Sequence, residues 1–176
     1  DGWGEDLDAP TAAAWAAVTE GLPRIRLPEW DRLVRVGSTI VLVEAAARYG
    51  RWATEAPELL GTDVRELLAT AATVSRAEYV PALFEAAALR LAMEAALTGW
   101  DAVLAPTTRT VAPEVGAPVA RGDLTDYTRP FSVTGHPVVT VPAPTAGLPV
   151  GIQVVGRYGA EPELLGTAAA LHHAWH

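Results

Sequence analysis

Apolar residues recur along this chain at two different periods, and the period changes once, near Gly99. Before that point they return at helical spacing; after it, β-branched residues crowd into short runs bounded by Pro and Gly. The first half therefore reads as helices and the second as short strands joined by loops. Asp8, with Pro10 close behind it, opens a helix through Trp15 and Val18, and Gly21 followed by Pro23 closes it. The segment GLPRIRLPEW reads as a connector with at most a short strand at residues 25–27. Asp31 is expected to cap the next helix. Leu33, Val36, Ile40 and Val41 form that helix's apolar side and place Glu44 on it, partly buried and tied to a backbone amide or to Arg48.

The clearest local signal is VSRAEY at residues 74–79. Ser75 and Glu78 are spaced as a capping box, with Val74 and Tyr79 as its hydrophobic staple, so a long helix starts there. Phe84, Ala88, Leu91 and Ala95 give it an apolar stripe, Arg90 and Glu94 are spaced to pair at i, i+4, Pro81 should bend its first turns, and Gly99 supplies a left-handed stop. Beyond it, Val103 and Leu104 predict a strand that stops at Pro106, followed by a surface loop to Gly122. Residues 138–141 and 150–155 predict an antiparallel hairpin. Both runs are apolar at nearly every position, which predicts interior strands covered on both faces. A last helix, from about Glu163, should bury Leu164, Leu165 and Leu171.

With 176 residues, 50% of them hydrophobic, the chain can build one domain with a sizeable core. Its net charge of -8 disfavours nucleic acid and anionic membrane surfaces as partners. There is no cysteine, so thiolate chemistry and disulfides are excluded and the compartment is not readable from redox usage. Arg90 and Glu94 interrupt the longest apolar run, and no basic segment followed by an apolar one opens the chain; the default expectation is a soluble protein of the cytoplasm. A chain beginning at Asp1 rather than Met is expected to follow other sequence.

The second half also carries a motif series: Asp101, Pro106 and Thr107; Thr128, Pro130, Gly135 and Pro137; Pro142; then Gly147, Pro149, Gly151 and Gln153 before the terminal helix. This series resembles the C-terminal end of the amidase signature family, serine hydrolases that cleave carboxamides and whose relatives include the Glu-tRNA(Gln) amidotransferases. The connector at Leu27 and Pro28, the helix holding Glu44, the run 61–65, Ser75 with Tyr79, and Arg90 agree more weakly. The resemblance implies an α/β fold in which helices cover a mixed sheet. Residues 1–176 would form the C-terminal portion of a single amidase domain, with 1–100 mainly helical and 101–176 holding sheet strands, loop and closing helix. It implies hydrolysis of a small amide without metal or organic cofactor, and as partner the N-terminal part of the same domain; homo-oligomers remain open. Two positions depart from the pattern: Ser132 replaces an Asn and Pro144 a Gly. Glu66 stands about where relatives that hold glutamine carry an arginine, which points to a general amidase.

The family mechanism needs two serines and a lysine. This chain has no lysine, and its serines, Ser38, Ser75 and Ser132, lie outside any Gly/Ser-rich loop. No catalytic residue is therefore expected here, and Thr128, Ser132 and His136 are the substrate-pocket candidates, with the loop 108–127 at the pocket mouth. A nucleophile at Ser132 or Thr134 with His136 as base and Asp126 behind it is the rival reading. Against it, these hydroxyls read as backbone-bonded loop residues and His136 as a surface or turn residue. His172 and His176 have the i, i+4 spacing of zinc ligands, but a solvated helix end explains them better. The six tryptophans, scattered without period, read as packing residues. A noncatalytic binding or assembly module derived from the amidase scaffold is the second reading of the whole chain.

Overall fold

The structure, a computed structural model, describes residues 3–4 and 6–176. Three strands, β1 (Val103–Pro106), β2 (Val138–Pro142) and β3 (Gly151–Val155), form a sheet in the order β1-β3-β2, both pairings antiparallel. The hairpin forms as the β-branched runs predict, Val138 facing Val155 and Pro142 facing Gly151. Only β3 is flanked on both sides, and its Ile152, Gln153, Val154 and Val155 are all buried. The expectation that β2 is interior is not met: among the described residues no strand lies beyond it, and its Thr140 is exposed.

Alternation along the strands divides the core in two. Val103, Ala105, Val138 and Val155 face a cluster built by Leu33, Val36, Leu89, Met93, Leu97 and Phe131. On the other face Val139, Val141 and Val154 meet Leu164 and Ala168, while Val150 and Ile152 meet Ala14 and Val18. The sheet thus sits between two helical layers.

Helix α1 (Ala9–Thr19) starts as predicted. The Asp8 carboxylate accepts from the Thr11 N–H at 2.9 Å and from the Val111 N–H at 3.1 Å, which also ties the helix start to the loop after β1. No strand forms at residues 25–27. Helix α2 (Trp30–Glu55) begins one residue earlier than a cap at Asp31 requires, so Asp31 lies in its first turn; Leu33 and Val36 are buried and Val41 is exposed. A single 3-10 turn (Pro57–Leu59) leads to α3 (Thr62–Ala71).

Helix α4 (Arg76–Leu97) opens with the full capping box: Ser75 Oγ accepts from the Glu78 N–H at 3.3 Å, and the Glu78 carboxylate accepts from the Ser75 N–H at 2.9 Å. It stops at Gly99, whose φ of +85° needs glycine. Its buried face is the opposite of the predicted one. Ala82, Leu89, Met93 and Leu97 go inside, whereas Phe84 and Leu91 remain 75% and 72% exposed. The helix is apolar on both sides, and periodicity alone cannot say which side meets the sheet.

Two short helices, α5 (Arg121–Thr125) and α6 (Arg129–Thr134), occupy sequence that reads as loop. The last helix, α7 (Glu161–Trp175), buries Leu164 as expected and leaves Leu165 exposed. Among the described residues no helix is long and apolar enough to cross a membrane.

Candidate functional site

Thr128, Ser132 and His136 open onto one depression of about 390 Å³, together with Phe131 and Gly135, Val138 and Thr140 of β2, and Gln153 of β3. Pro130 sits in the first turn of α6, where its missing N–H costs nothing, and Gly135 ends the helix at φ +72° with its N–H on the Phe131 carbonyl at 2.8 Å. A Cβ on Gly135 would lie 3.3 Å from Arg90 Nη2 and 3.5 Å from Tyr158 Cε2, so the turn presses against both. Pro137 then leads into β2.

The hydroxyls of this segment donate to their own backbone. Thr128 bonds the Thr125 carbonyl at 3.0 Å, Ser132 the Thr128 carbonyl at 3.3 Å, and Thr134 the Pro130 carbonyl at 3.1 Å. Ser132 thus turns its hydroxyl into α6, where a longer Asn would reach across the crevice. His136, expected at the surface, is instead 5% exposed. Its Nδ1 lies 2.9 Å from Thr134 Oγ1 and its Nε2 3.1 Å from Glu94 Oε2. Thr134 is fully buried, so its hydroxyl cannot reach a substrate carbonyl in the depression. Asp126 pairs with Arg129 at 3.3 Å and Arg109 at 3.8 Å. The Ser132, His136 and Asp126 arrangement of a hydrolytic triad is therefore not assembled.

Two other expected pairings are replaced. Glu94 meets His136 and the Tyr158 N–H, while Arg90 Nε donates to the Thr134 carbonyl at 2.8 Å. Glu44 is exposed and accepts from the Tyr79 hydroxyl at 3.1 Å.

Burial pushes the His136 imidazole below the ordinary histidine range; Glu94 opposes this and Arg90 adds to it. Above about pH 6.5 both folded and unfolded chains hold the ring neutral. Below that value the unfolded chain takes up the proton first, so stability is lost as pH falls towards the folded-state pKa. Urea unfolding between pH 8 and pH 5 should show this decline, and His136→Gln should flatten it; an equal slope in both proteins would refute the assignment.

Gln153 is the residue at this site that the sequence did not single out for a role. It is 2% exposed, and its Nε2 donates to the Pro106 carbonyl at 2.7 Å and to the Tyr127 carbonyl at 3.0 Å, joining β1 to the segment that enters α6. A polar residue inside an apolar strand run was the available signal. The tryptophans pack as expected: Arg109 lies 4.9 Å from the Trp30 ring and 5.4 Å from Tyr127, and Trp3 lies 5.4 Å from Phe131. The His172 and His176 rings are 4.7 Å apart, and no metal-holding group of three or more His, Cys, Asp or Glu side chains occurs among the described residues.

A second depression, about 460 Å³, runs along the outer edge of β1, between residues 100–106 and the extended connector 22–27. The Thr107 N–H bonds the Gly151 carbonyl at 3.1 Å, which sets the alternation of the β1–β3 ladder. Ala105 and Val103 exchange bonds with β3, and Leu104 turns its N–H and C=O away from it.

Residues 24–165 match the protein family described as Amidase. The amidase-like subunit of glutamyl-tRNA(Gln) amidotransferase from Neisseria meningitidis is 43% identical over 83 residues, covering 43% of this chain and 17% of the relative. The 6-aminohexanoate-cyclic-dimer hydrolase of Paenarthrobacter ureafaciens is 33% identical over 94 residues, 43% of this chain and 19% of the relative. A crystal structure of an amidase superimposes with a TM-score of 0.88 at 30% identity, covering 97% of this chain and 43% of that one. The chain thus spans less than half the length of the structure it matches.

Proposed function

The chain belongs to the Amidase family, and on that premise we propose that it is the C-terminal portion of an amidase domain working in the cytoplasm. The whole domain would hydrolyse a carboxamide to carboxylate and ammonia or amine. The serines and lysine that attack and shuttle protons would lie outside residues 1–176, and Thr128, Ser132 and His136 would wall the substrate pocket. Glu66 favours a general amide over glutamine.

The observation that carries this reading is the free edge of β1. An unpaired strand edge facing an elongated depression is the shape that one more strand would fill. The occupant is the remainder of the same domain, since the chain covers 43% of the amidase structure it superimposes on. Its hydroxyls, bonded to their own backbone, offer no activated nucleophile in its place.

The purified chain should release no ammonia from benzamide or acetamide above the buffer blank, and Ser132→Ala should leave that result unchanged. Turnover by the chain alone that disappears in Ser132→Ala would overturn the proposal.

A further inference from the structure

The wall of the His136 depression is held from behind by two residues one turn apart on α4. Arg90 Nε donates to the Thr134 carbonyl, and its guanidinium lies 5.1 Å from the Tyr158 ring. Glu94 Oε2 lies 3.1 Å from His136 Nε2 and accepts from the Tyr158 N–H at 3.1 Å; the Tyr158 ring stands edge-on to His136 at 6.5 Å. A single carboxylate oxygen therefore joins α4 to the turn before β2 and to the loop after β3. An ionised carboxylate only accepts, so Nε2 must carry the hydrogen. Neutral His136 then presents an Nδ1 lone pair to Thr134 Oγ1, 2.9 Å away.

We propose that Glu94 is a positioning residue: it fixes His136 as the Nε2–H tautomer with both ring nitrogens occupied, so that the imidazole shapes the wall and is withheld from acid–base work in the cavity. The inference stands whether or not the whole domain is an amidase, because it concerns only groups in this chain. It assigns a role to two residues, 42 positions apart, that share no motif. Removal of the carboxylate would leave a buried N–H unpaired, and the hydrogen would move to Nδ1. There Thr134 Oγ1 can accept it while its own hydroxyl donates to the Pro130 carbonyl at 3.1 Å.

Long-range proton–nitrogen NMR correlation of the full chain, labelled with nitrogen-15 histidine, reads the tautomer directly at pH 7.5. The expected spectrum has His136 protonated on Nε2 alone. Glu94→Gln, which keeps an acceptor oxygen, should preserve it, and Glu94→Leu should move the hydrogen to Nδ1. An Nδ1–H tautomer in the unsubstituted chain, or an unchanged Nε2–H signal in Glu94→Leu, would overturn the proposal. Should Glu94→Leu fail to fold, the unsubstituted spectrum together with Glu94→Gln still decides it.

Discussion

Gly37→Ala is expected to lower the stability of the chain although alanine is the better helix former. A Cβ at Gly37, in the middle of α2, would stand 2.6 Å from Val133 Cγ2 and 2.7 and 2.9 Å from Arg129 Cγ and Cδ. Neither neighbour can yield cheaply. Val133 is β-branched and stiff at χ1. The Arg129 stem is pinned at its far end, where Nη1 donates to Ser38 Oγ at 2.8 Å and Nη2 to Thr125 Oγ1 at 2.9 Å. Replacing a mid-helix Gly by Ala contributes about 0.5–1 kcal/mol, while overpacking of this kind costs about 1–3 kcal/mol. The second effect wins because α6 cannot move away without breaking the Arg129 bonds. Thermal unfolding should fall by roughly 2–8 °C. Gly50→Ala on the same helix meets nothing within 4 Å and serves as the control, with a gain of about 0.5–1 kcal/mol. If both variants are stabilised alike, the close approach of α2 and α6 is wrong.

The features legible in the sequence are those decided within a few residues. The Ser75 and Glu78 box, the Asp8 cap and the stop at Gly99 all form as predicted, because capping is settled inside one turn. The hairpin of β2 and β3 was readable from two β-branched runs and a short connection. The inward face of α4 was not readable, since an alanine-rich helix with apolar residues on both sides takes its orientation from its neighbours. The same limit hid the partners of Glu44 and Glu94, which lie 35 and 42 residues away in sequence. At the depression, Thr128, Ser132 and His136 were found together because they come from one short motif. Gln153 and Glu94 enter from other elements, and only the polarity of Gln153 within an apolar strand hinted at its burial.

Gln153→Leu should give the larger loss, and the reason shows what holds the depression together. The side chain is sealed from water and supplies donors to two carbonyls, those of Pro106 and Tyr127. Leucine fills a similar volume but leaves both oxygens without that partner, at about 1–3 kcal/mol for each buried group left unsatisfied. The expected net loss is about 2–4 kcal/mol, because the added apolar burial offsets only part of it. Gln153→Glu should be worse near neutral pH, since an ionised carboxylate has no hydrogen to donate and would face two carbonyl oxygens. Such a carboxyl holds its proton more tightly in the folded chain than in the unfolded one. The folded state of that variant therefore recovers stability, relative to the Gln153 protein, as pH falls towards the ordinary carboxylate value of about 4.3. Urea unfolding at pH 7.5 and pH 5 separates the two variants: the Leu deficit should stay nearly constant while the Glu deficit narrows. A Leu variant within about 0.5 kcal/mol of the original chain, the level of an ordinary surface substitution, would mean that Gln153 does not brace the sheet. The link from β1 through Tyr127 to the Thr128 side of the depression would then have to be carried by packing alone.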